Sequence, residues 1–95
     1  MKTIKVVLSP GWGAGIASWN DYELAEHPDV VRAVERGATL DEIESLVAEL
    51  FPGKGYYLGG FRDAVVVEVT GPYLIEEYDG NESIVQPSEK HWRNV

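Results

Sequence analysis

The sequence contains no cysteine. Disulfides, cysteine-based zinc sites and thiol nucleophiles are therefore excluded, and a reducing interior is expected rather than a secreted setting. Histidine occurs only twice, as His27 and His91, and neither belongs to H-x-x-x-H or a comparable metal-binding spacing. Basic residues are scarce: 8 Lys+Arg stand against 16 Asp+Glu, for a net charge of −8 and a pI near 4.6. A phosphate backbone would be repelled, so direct binding to DNA or RNA is not expected. No apolar run approaches the ~20 residues that a membrane span needs. Met1-Lys2-Thr3-Ile4-Lys5 is a basic start, but Val6-Val7-Leu8 is too brief for a signal-peptide core and Pro10-Gly11 ends it. The expectation is a cytoplasmic protein with no membrane partner and no cofactor.

What is present is ordinary globular composition, 44% hydrophobic and 25% charged. The 95 residues suffice for one domain, taken here as 1–95. A chain of this length buries only about 60–65% of the surface its unfolded form exposes. Its core is thin, and a second copy could add useful burial, so a homo-oligomer is among the expectations.

Thr3–Leu8 alternates loosely, ends in Val-Val-Leu and predicts a first strand. Ser9-Pro10 stops it, and Gly11-Trp12-Gly13-Ala14-Gly15 is too glycine-rich for regular structure. Asn20 or Asp21 can cap a short helical turn through Ala25. Pro28 and Asp29 suit the first turn of a helix with Val30, Val31 and Val34 on its apolar side, stopped at Gly37. Thr39-Leu40-Asp41-Glu42 has the form of a capping box. Leu40, Ile43, Val47 and Leu50 recur at helical spacing behind it. After a Gly/Tyr-rich connector from Gly53 to Gly60, Ala64–Val69 and Tyr73–Tyr78 predict strands. Asp79-Gly80 then predicts a hairpin turn into Ser83–Val85, and Trp92 is expected to pack back on the body. The order β-α-α-β-β-β predicts an α+β fold, a small antiparallel or mixed sheet with two helices on one face. Leu40, Ile43, Val47 and Leu50 are the expected cover for Val6, Leu8, Val65 and Val67.

The glycine segment is the most suggestive feature for function. Glycines let backbone N–H groups converge on an anion and let a ligand approach closely. The spacing Gly11, Gly13, Gly15 is not G-x-G-x-x-G, and no G-K-[ST] phosphate loop is present. A chain this short cannot supply two mononucleotide-binding halves. The same segment could simply let Trp12 and Trp19 fold onto the sheet. Trp12, Trp19, Tyr56, Tyr57 and Phe61 all flank glycine-rich segments. Rings in such places can stack a nucleobase or fill a small core, and Arg62 beside them can neutralise a phosphate.

Other constellations are weaker. No serine lies in G-x-S-x-G. Glu77 and Asp79 flank Tyr78 and can share one side of a strand, where two carboxylates could bind a divalent ion or act as acid and base. Between Asp21 and Leu50, nine acids (Asp21, Glu23, Glu26, Asp29, Glu35, Asp41, Glu42, Glu44, Glu49) oppose only Arg32 and Arg36. Such a surface is either a solvated face or a dock for a basic protein, with electrostatic steering of the encounter.

Tyr73-Leu74-Ile75-Glu76-Glu77-Tyr78-Asp79-Gly80-Asn81-Glu82-Ser83-Ile84 resembles the I-E-E-Y-D-G-x-E-x-[VI] ending of a family of small uncharacterised proteins of tailed bacteriophages. The opening Val6 to Gly15, the Gly60–Val67 stretch and the late Trp92 resemble the same layout, while the acidic middle does not take part. The resemblance implies a phage accessory protein in the host cytoplasm, acting in counter-defence, and it maps no site. Three functions stay open. One is a non-enzymatic protein that sequesters a nucleotide signal, with Gly11, Trp12, Gly13, Gly15, Trp19, Tyr57 and Arg62 holding the ligand. Another is an acidic, DNA-mimicking inhibitor of a host defence protein. The third is a small metal-dependent nucleotide hydrolase using Glu77 and Asp79.

Overall fold

The computed structural model describes residues 3–11, 14–79 and 81–86. The expected packing of Trp92 falls outside these residues, as do Trp12 and Gly13 of the glycine segment, Gly80 of the hairpin turn and His91.

Strand β1 (Thr3–Leu8) pairs antiparallel with β2 (Val65–Thr70), Thr3 opposite Thr70 and Leu8 opposite Val65. Three helices lie between them in sequence: α1 (Tyr22–Glu26), α2 (Pro28–Glu35) and α3 (Leu40–Leu50). A 3-10 turn, Gly59–Asp63, leads into β2. Strands β3 (Leu74–Tyr78) and β4 (Asn81–Val85) form the second antiparallel pair. The class is α+β, built on antiparallel pairing.

The helices start and stop where local chemistry dictates. His27 caps α2, its Nδ1 accepting from the Asp29 N–H at 3.1 Å, and Pro28 occupies the first turn. Gly37, at φ +76°, makes the left-handed step that ends this helix region. Thr39 and Glu42 form the reciprocal box that starts α3: the Glu42 N–H donates to Thr39 Oγ1 at 3.2 Å and the Thr39 N–H to Glu42 Oε1 at 2.8 Å.

Val6, Val7, Ile16, Leu24 and Val30 form the centre of the core, all fully buried. A two-stranded ribbon is marginal alone and needs a cover to persist. Here α1 and α2 lie on β1, and α2 also reaches β2. The helix predicted to cover the sheet, α3, instead packs on α2 and the 3-10 turn, so Ile43 and Val47 close the core from one layer further out.

The four strands divide into two sheets rather than forming one. The cause lies in what meets the second pair. The outward Ile75 N–H of β3 donates to the Tyr22 hydroxyl at 2.9 Å, and the Glu82 N–H of β4 donates to the Ser9 carbonyl at 2.7 Å. These bonds tie the hairpin to α1 and to the residue after β1, while Gln86 Nε2, just past β4, donates to the Thr70 carbonyl at 2.6 Å.

Candidate functional site

Ser9, Ile16 and Ser18, which follow β1, converge on a single carboxylate. Glu82 projects from β4, is only 3% exposed, and accepts four hydrogen bonds. The Ser9 N–H donates to Oε1 at 2.9 Å. Oε2 accepts from the N–H of Ile16 at 2.9 Å, the N–H of Ser18 at 3.0 Å and the hydroxyl of Ser18 at 2.6 Å. Converging amides are the anion-binding device expected of this segment, and three of them hold the chain's own Glu82. At Gly15 a Cβ would meet Ser18 Oγ, and Glu82 Oε2 at 3.0 Å. Gly15 thus gives the carboxylate room to enter.

Beside this plugged loop lies a cavity of about 290 Å³, lined by Ser9, Ala14, Tyr57, Gly59, Arg62 and Asp63. Two close approaches shape it. A Cβ at Gly60 would stand 2.8 Å from the Gly15 carbonyl oxygen, so the 3-10 turn and the loop meet backbone to backbone. The Tyr57 ring lies against Gly59, and Asn20 holds the Tyr57 backbone. The Tyr57 N–H donates to Asn20 Oδ1 at 2.9 Å, while Asn20 Nδ2 donates to the carbonyls of Tyr57 at 2.8 Å and Ile16 at 2.9 Å.

Of the residues singled out from sequence, Tyr57 and Arg62 line the cavity, Gly11 and Gly15 lie against its lining residues Asp63 and Gly60, and Trp19 stacks on Tyr57. The Trp19 and Tyr57 rings are stacked, 5.6 Å between centroids and 29° between planes. Both remain about half exposed, at 48% and 56%. Trp19 Nε1 donates to Glu77 Oε2 at 3.3 Å, which ties the pair to β3. Trp12 and Gly13 lie outside the described residues. Sequence reasoning did not find Asn20, Asp63 or Glu82 as parts of this region.

Arg62 is exposed, and among the described residues it is the single cation without an ion pair. Lys5 meets Glu35 at 2.8 Å, Arg36 meets Glu42 at 3.7 Å, Lys54 meets Glu23 at 3.9 Å, and Arg32 pairs with Asp29. One position before Tyr57, the Tyr56 hydroxyl donates to Asp21 at 2.7 Å. Desolvation, then the Asp21 and Glu23 carboxylates, hold the Tyr56 phenol well above its ordinary range.

Arg62 supplies a donor fork for an anion, and Tyr57 with Trp19 supplies exposed aromatic surface next to it. Among the described residues no group of three or more histidine or acidic side chains is placed to hold a metal ion, including around Glu77 and Asp79. Among the same residues no helix is long and apolar enough to cross a membrane. Comparison with protein-family models, with curated proteins and with solved structures finds no match to this chain.

Proposed function

We propose that this protein is a non-enzymatic binding protein that holds a small nucleotide-like anion in the Arg62 cavity. One observation carries the reading: the single unpaired cation among the described residues stands at a polar cavity flanked by exposed, stacked aromatic rings. In a chain of net charge −8, an arginine left without a carboxylate is the group on which an anion can settle. The cavity volume of about 290 Å³ lies just below the ~300–1,000 Å³ typical of small-molecule sites. One cation and that volume suit a single phosphate with one ring system rather than a polyphosphate. The ligand is held by Arg62 and the rings, because Glu82 occupies the loop amides of Ser9, Ile16 and Ser18.

The resemblance of Tyr73–Ile84 to the phage family supports a setting for this binding. A phage accessory protein in the host cytoplasm that withholds a nucleotide signal would blunt a defence response without catalysis. An oligomer would multiply such sites without changing their chemistry.

A second reading, the acidic inhibitor, is favoured by one observation. Asp41, Glu44 and Glu49 are exposed on α3 and have no partner among the described residues. It is the weaker reading, because the other six acids of the Asp21–Glu49 stretch are engaged by Tyr56, Tyr73, Lys5, Arg32, Lys54 or the α3 cap.

Native mass spectrometry with a panel of nucleoside monophosphates tests the proposal. The expected result is a mass gain of one nucleotide per chain, weakened at least ~10-fold in Arg62→Ala and unchanged in Glu44→Lys. Capture of a basic protein that is lost in Glu44→Lys and insensitive to Arg62→Ala would replace it with the inhibitor reading.

A further inference from the structure

The cavity contains a second charged group that anion binding alone does not explain. Asp63 ends the 3-10 turn, is exposed, and lines the same cavity as Arg62. Arg62 is its sequence neighbour, yet the two make no ion pair, and Asp63 has no hydrogen-bond partner among the described residues. Its carboxylate rests on the backbone of Gly11: a Cβ there would stand 2.7 Å from Oδ2 and 3.3 Å from Cγ. Any residue other than glycine at that position would displace the carboxylate.

An ionised carboxylate next to an anion site opposes binding through like-charge repulsion. It becomes favourable only when the ligand itself brings donors, because a carboxylate accepts and does not donate. Two carboxylate oxygens match two neighbouring donors in the way they match the arginine fork.

We propose that Asp63 is the ligand-selecting residue of this cavity, its carboxylate accepting a pair of adjacent donors from the molecule whose phosphate Arg62 holds. This rests on the reading of Arg62 given above. The ligand class is a nucleoside monophosphate that carries such a pair. The ribose 2′,3′-diol is one source, and the N1–H and N2–H edge of guanine is the other. Gly11 serves the site by leaving space for the carboxylate.

Isothermal titration of the full chain with GMP, AMP and their 2′-deoxy forms, in buffer containing EDTA so that no metal ion bridges the acids, tests this. Asp63→Asn is expected to weaken binding by about 10- to 100-fold, and Gly11→Ala to weaken it in the same direction. Asp63→Asn also removes a negative charge, so if the carboxylate were only a bystander the variant would bind the phosphate more tightly. Loss of affinity in the 2′-deoxy compounds assigns the donors to the diol, and preference for GMP over AMP assigns them to the base edge. Unchanged or tighter binding in Asp63→Asn, with binding abolished in Arg62→Ala, overturns this inference and leaves the anion site standing. If the wild-type chain binds none of the four nucleotides, both proposals fall. Asp63 is exposed and makes no hydrogen bond or ion pair among the described residues, so the variant reports on binding rather than on folding.

Discussion

Glu82 and Ser18 meet at 2.6 Å, a carboxylate on the last strand closing on a hydroxyl in the loop that follows the first. The same carboxylate also takes the N–H groups of Ser9, Ile16 and Ser18, and it is almost wholly buried. A buried charge is tolerated where hydrogen bonds compensate it, and here four donors do so. Removing the acceptor leaves three backbone donors without a partner. Glu82→Gln, which turns an amide N–H₂ toward these donors, is expected to cost about 1–3 kcal/mol, and Glu82→Ala more. Urea titration followed by far-UV circular dichroism measures the change. A midpoint equal to wild type would show that the loop does not depend on this group.

Asn20 makes three bonds that fix the Tyr57 backbone against the loop. Asn20→Asp keeps the acceptor for the Tyr57 N–H but places a carboxylate against two carbonyl oxygens. It is therefore expected to be at least as destabilising as Asn20→Ala, with both costing about 1–2 kcal/mol. Loss of the clamp also separates Tyr57 from Trp19, so the near-UV circular dichroism signal should fall in both variants before global unfolding. An Asn20→Asp variant more stable than Asn20→Ala would contradict the assigned direction of these bonds.

Tyr56 and Tyr73 give the protein a dependence on alkaline pH. Desolvation and a hydrogen bond to a carboxylate, Asp21 for Tyr56 and Glu26 for Tyr73, raise both phenols above the ordinary value of 10.0. The folded state thus keeps protons that the unfolded state gives up. The contribution to stability is fully present below pH 10, and it is lost as the pH rises through the folded-state values. Thermal melts from pH 8 to 11 should show stability falling above about pH 10. The Tyr56→Phe, Tyr73→Phe double variant should show a flatter decline. Equal slopes in the two proteins would remove the tyrosines as the cause.

The parts of the fold that were legible in sequence are those set by neighbours in the chain. Thr39 with Glu42, Pro28 with Asp29, and Gly37 act over one helical turn, and all three stand where the sequence places them. The division into two sheets was not legible. It depends on Glu82 reaching Ser9, 73 positions earlier, and on Tyr22 meeting Ile75, 53 positions later. A signal for Glu82 does exist: strand alternation puts it on the same face as Ile84, an apolar neighbour that is partly buried. For the site, the residue types near the glycines pointed to Tyr57 and Arg62, which share a cavity. Asn20 could be read only as a helix cap, because its partner Tyr57 is 37 positions away.

The hairpin of β3 and β4 follows β2 after Gly71-Pro72-Tyr73, and its hold on the body passes through Tyr22, Ser9, the amides that Glu82 fills and, just past β4, Gln86 on the Thr70 carbonyl. None of these bonds distinguishes its own loop from that of an identical neighbour. Bonds of this kind and a short connector are what an exchange of arms between identical chains requires. If the Gly71-Pro72 corner were stiffened into an extended connection, the carboxylate would enter the loop of a second chain, and two copies would each complete the other with no new contact required.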